Sequence, residues 1–135
     1  MPVIADPRRV REIDVIRVGP DHSRGWDGRT PVRGVVLEVW HGEQAEAALA
    51  LAATLPEAQP MRCFLPHYAM RLRNGPTALA EIAFCFRCRN GRALSFPPDF
   101  VVAPWFTFDP DSEPARHLLA MFRSAAGRSP DNESP

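Results

Sequence analysis

The sequence predicts an α+β domain: an antiparallel sheet of about four to six strands covered by two helices. Three observations predict it. Several short apolar segments alternate with a period of two, the signature of half-buried strands. Two other segments, 43–55 and 113–126, place their apolar residues at helical spacing. Two turn signals, Asn74-Gly75-Pro76-Thr77 and Asn90-Gly91, separate consecutive strands closely enough for hairpins.

Taken in order, Ile13, Val15 and Val18 form a short apolar run read as an edge strand. Residues 19–31 are punctuated by Gly19, Pro20, Gly25, Gly28 and Pro31 and read as a loop, with Trp26 available to cover the core. Residues 32–40 alternate, with Val35, Leu37 and Val39 on one side and Val36, Glu38 and Trp40 on the other. A helix follows over 43–55. Glu43 and Glu46 lie near its positive N-terminal end, Ala48, Leu51 and Leu55 share a face, and Pro56 stops it. Met61 to Asn74 reads as extended and broken by Pro66. Ala78 to Cys88 is the next strand, with Ala80, Ile82, Phe84 and Phe86 on one face and Glu81, Cys85 and Arg87 on the other. The Asn90-Gly91 turn leads into Ala93, Leu94 and Phe96, and Pro97-Pro98 ends that strand. Val101 to Phe108 gives a last extended segment. Asp109-Pro110-Asp111-Ser112 supplies an N-cap with Pro114 in the first turn, and Ala115, Leu118, Leu119, Phe122 and Ala126 then follow helical spacing up to Gly127. Residues 1–127 therefore read as one domain and 128–135 as a disordered polar tail.

Composition removes several function classes. All sixteen basic residues are arginine. A chain without lysine has no Walker-type phosphate loop, no Schiff-base cofactor chemistry and no lysine nucleophile. The formal net charge of zero disfavours a dedicated duplex-DNA binder, which must neutralise several phosphates. Residues 1–18 hold no signal-peptide core, because charges from Asp6 to Asp14 interrupt them, and no run approaches the length of a membrane helix. The expectation is a bacterial cytoplasmic protein without membrane attachment. His22, His41 and His117 are isolated, and Asp109 and Asp111 are explained by the helix cap. Arg71, Arg73, Arg87, Arg89 and Arg92 fall on the central strands; the reading preferred over nucleic-acid binding is a charged sheet face balanced by Glu81.

The candidate site lies in two cysteine-bearing stretches, Cys63-Phe64-Leu65-Pro66-His67 and Cys85-Phe86-Arg87-Cys88. Zinc prefers four tetrahedral sulfur or nitrogen ligands, commonly supplied as two close pairs, so Cys63, His67, Cys85 and Cys88 are the candidate ligands of a structural Zn2+. Hairpin register brings the pairs together. If 74–77 is the turn, Arg73 pairs with Ala78, and the same register sets Cys63 opposite Cys88 and His67 opposite Phe84. Cys85 and Cys88 face opposite ways in a regular strand, so they converge only if a bulge or early turn intervenes. Three readings stay open: buried cysteines with no ligand, the zinc site, and a redox pair at Cys85/Cys88 or a Cys63–Cys88 bridge. With Arg71 added, this arrangement resembles a Cys-Phe-x-Pro-His…Cys-Phe-x-Cys pattern of short uncharacterised bacterial proteins, over about residues 61–90. The resemblance implies no established activity. The leading expectation is a non-enzymatic domain that binds another protein, steadied by zinc; the alternative is a thiol-dependent redox protein or sensor.

Overall fold

The computed structural model describes residues 6–19, 30–59, 61, 63–96 and 105–129. The expectations about Trp26, His22, Pro97-Pro98 and the tail from residue 130 lie outside them. Six strands and two helices follow in the order β1 (Glu12–Val18), β2 (Gly34–His41), α1 (Gly42–Ala53), β3 (Tyr68–Asn74), β4 (Thr77–Cys85), β5 (Asn90–Ser95), β6 (Trp105–Thr107) and α2 (Glu113–Arg128). A 3-10 turn at Pro7–Arg9 precedes them. This is the α+β architecture read from the sequence.

The strands form one sheet in the order β2-β1-β3-β4-β5-β6, and every neighbouring pair is antiparallel. β1 is therefore not an edge strand as expected; it is flanked by β2 and β3. The β1–β2 pair and the continuous β3–β4–β5 meander account for most of the order. The exception is the path from β2 through α1 to β3, which carries the chain past β1 and docks β3 on its far side. Local alternation cannot signal that step, because β1 meets β3 by pairing Glu12 with Arg73 and Ile16 with Ala69.

Both helices lie on one face. Ala45, Ala48, Ala52 and Leu55 meet Ala115, Leu118, Phe122 and Ala125 over Ile13, Val15, Met70, Leu72, Ile82 and Phe84. Phe122 is the centre of an aromatic group, stacked on Tyr68 at 4.9 Å and on Trp40 at 5.7 Å, with Phe84 tilted against it at 5.7 Å. The other face carries a smaller cluster of Ile16, Val18, Val32, Ala69 and Ala83, with Phe64 resting on it.

Three local differences from expectation have clear causes. The alternation predicted for β2 fails at a bulge: Val15 pairs with Glu38 but Ile16 with Val36, so Leu37 is an extra residue. Leu37 and Trp40 consequently both reach the core. The turn after β4 is residues 86–89, not Asn90-Gly91. Arg89 takes the left-handed conformation at φ 62, while Gly91 is already in β5, where a Cβ would run into the Phe106 ring. The last helix continues through Gly127 and Arg128 and is capped at Ser129, two residues beyond the predicted stop. At its other end Ser112 Oγ accepts from Ala115 N, as the N-cap expectation required.

Candidate functional site

Between α1 and β3 the described residues 54–59, 61 and 63–67 form an irregular strap. Its second half crosses the helix-free face of the sheet, where Phe64 packs on the small cluster. Pro66 is buried and prevents β3 from beginning earlier, since a proline cannot donate to a ladder.

The three cysteines converge where this strap meets the β4–β5 hairpin. Cys85 is the last residue of β4 and is fully buried. The turn begins immediately after it, which is the condition the sequence set for Cys85 and Cys88 to approach. Cys88 N donates to Cys85 Sγ at 3.2 Å. Cys88, also buried, forms a disulfide with Cys63 of the strap, with 5.5 Å between the Cα atoms. Two hydrogen bonds repeat the connection: Met61 N donates to Cys88 O at 3.3 Å, and Asn90 Nδ2 donates to Cys63 O at 2.7 Å.

The expected meeting of Cys63 and Cys88 thus occurs, though the register that suggested it is altered. Arg73 does pair with Ala78, but a bulge follows, so Leu72 pairs with Ala80 and Tyr68, not His67, falls opposite Phe84. His67 is exposed, and its carbonyl accepts from Val18 N at 2.9 Å. Among the described residues no three His, Cys, Asp or Glu side chains are grouped to hold a metal. Of the four candidate ligands, the structure brings the cysteines to one corner, two of them joined to each other.

The arginines of the central strands are engaged by acids. Glu81 is buried and accepts from Arg71 Nη2 at 2.9 Å, Arg92 Nη2 at 3.1 Å and Val32 N at 2.9 Å. Burial pushes the Arg92 guanidinium below its ordinary pKa, opposed by the charge and hydrogen bond of Glu81. Arg73 makes a two-point contact with Asp14 at 2.8 and 2.9 Å, and that carboxylate holds its pKa above the ordinary value. Arg87 and Arg89 are exposed beside the cysteine corner.

Sequence reading did not single out the apolar surface beside this corner. Met61, Leu65 and Trp105 are 53%, 48% and 51% exposed, although all three are large and hydrophobic. Met61 and Leu65 flank Cys63 on the strap, and Phe64 meets Trp105 edge-on at 5.2 Å. Met61, Phe64 and Leu65 were visible as apolar residues around Cys63, but nothing in the sequence distinguished an exposed apolar residue from a buried one. Among the described residues no helix is long and apolar enough to cross a membrane. No protein family, curated protein or solved structure matches this chain.

Proposed function

We propose that this chain is a protein-binding domain whose docking surface is the strip of Met61, Leu65 and Trp105. The observation that carries this reading is the exposure of those three side chains on one strap and the strand beside it. Single exposed apolar residues are ordinary, whereas apolar groups gathered around an aromatic residue form the desolvated centre of a recognition surface. Tryptophan is the residue type most often dominant at such a centre. The disulfide and its two flanking hydrogen bonds hold the strap against a hairpin, so the surface is presented without a large ordering cost.

A photo-crosslinking residue in place of Leu65, with an exposed control position at Arg116 on α2, tests this in the producing cell. One adduct of defined mass is expected from position 65 and none from position 116. Trp105→Ala should reduce that adduct about tenfold or more, as loss of a dominant contact residue does. Equal adducts from both positions, or none from position 65, overturn the reading. An adduct weighing two copies of the chain replaces the foreign partner with self-association.

Zinc remains a second proposal, and it concerns the reduced chain. Thiols in a cytoplasm are held reduced, and with the bond open the corner offers three thiolates, with His67 further along the strap, as a four-ligand set. Metal analysis with thiol counting before and after chelation decides between the two states. Stoichiometric zinc with thiols released by chelation supports the site; a metal-free reduced chain ends it.

A further inference from the structure

The third cysteine has a use that the disulfide alone leaves unassigned. We propose that Cys85 is the resolving thiol of a switch that moves the bond on Cys88 from Cys63 to Cys85 and so unfastens the strap. Three observations carry it. The Cys85 sulfur lies 3.2 Å from the backbone nitrogen of Cys88, so the thiol already borders the residue it would attack. Cys85 ends β4 and Cys88 lies in the turn that follows, within one hairpin, whereas Cys63 is brought in from a separate segment, 25 residues before Cys88 in the chain. Beside the bond, two hydrogen bonds tie strap to hairpin at this corner, Met61 N to Cys88 O and Asn90 Nδ2 to Cys63 O.

The step needs no external oxidant. Cys85 gives up its proton and its thiolate attacks Cys88 Sγ. The Cys85–Cys88 bond forms as the Cys63–Cys88 bond breaks. The electron pair leaves on Cys63 Sγ, which takes up a proton from solvent. One disulfide and one thiol are present before and after. What changes is the tether: the new bond closes within the hairpin, and the segment bearing Met61, Phe64 and Leu65 is released from it. The effect on binding rests on the reading of that segment as the docking strip; the exchange itself rests only on the cysteines.

Disulfide mapping of the full chain tests the exchange. The oxidised protein is held at neutral pH, quenched in acid, unfolded and alkylated at its single thiol. Cleavage after Arg71, Arg73 and Arg87 separates the three cysteines onto different peptides. Label on Cys63 is expected to rise to about 1–10% of chains, the population of an accessible minor state. Label confined to Cys85 after a day overturns the switch. Cys63→Ser supplies a second measurement: with oxidised glutathione as the electron acceptor, Cys85 and Cys88 should close on each other, releasing two glutathione thiols. A variant that folds and stays a dithiol or a mixed disulfide overturns the proposal. The crosslink from Leu65 should fall about fivefold or more in Cys63→Ser, the lower end of coupling between linked sites. Exchange without any crosslink in the unaltered chain defeats the docking reading alone. A crosslink with label fixed on Cys85 defeats the switch alone.

Discussion

Glu81 illustrates how one side chain can decide the character of a whole sheet face. It stands on the side opposite the helices, where a purely apolar strand would have invited a second covering layer. Its two oxygens instead gather Arg71, Arg92 and the amide of Val32. A buried ion pair adds little net stability when intact, but removing one partner leaves the other's desolvation unanswered. Glu81→Ala is therefore expected to lower unfolding stability by roughly 3–5 kcal/mol in urea titration. A loss below about 1 kcal/mol, the scale of an ordinary surface change, contradicts the account. The alternation of β4 made Glu81 legible in the sequence as the acid balancing the arginine strands. Its burial was not legible, because that depends on the 30–33 segment arriving from a distant part of the chain to place Val32 upon it.

Elements were readable wherever their signals were local. Helix α1 was expected over 43–55 and spans Gly42–Ala53; the Ser112 cap and Pro114 set the start of α2. The misplaced features each depend on a partner. The hairpin signal at Asn90-Gly91 was overridden because Gly91 is needed small beneath Phe106, leaving Arg89 to take the positive φ. The bulge opposite Val15 appears only once β2 pairs with β1. The cysteine corner was half legible: register brought Cys63 to Cys88, but whether sulfur meets sulfur or metal is not written in spacing. Contacts between elements also carry a pH response. Glu38 of β2 accepts from Arg128 Nη2 of α2 at 2.8 Å and from Trp40 Nε1 at 2.7 Å. The Arg128 hydrogen bond, aided by Trp40 and the Arg128 charge, holds the Glu38 carboxyl below its ordinary pKa despite some desolvation. A depressed folded-state pKa contributes stability above the unfolded value, and that contribution disappears as pH falls through the folded one. Glu38→Gln should thus be less stable than the unaltered chain at about pH 7, with the gap closing towards about pH 3. Thermal midpoints measured across that range check it, and a gap that stays constant would show that this pair does not link β2 to α2.

For the molecule as a whole, the Cys63–Cys88 bond fastens the crossover between the two halves of the sheet to the β4–β5 hairpin. Closing a 25-residue separation restricts the unfolded chain by about 3.5 kcal/mol on the loop-entropy estimate. Reduction should lower global stability by that order, read as a shift of the denaturation midpoint with and without a dithiol reductant. If the midpoint does not move, the crossover is held by packing alone. The same crossover has a temporal consequence. Because β3 lies between β1 and β4, a nascent chain released only as far as α1 has a two-stranded ribbon with an open inner edge and no partner for it. The seat stays vacant until the ribosome has made residues 68–74, so this protein's vulnerable interval falls during its own synthesis, and a chaperone that shields β1 in that interval would protect the yield.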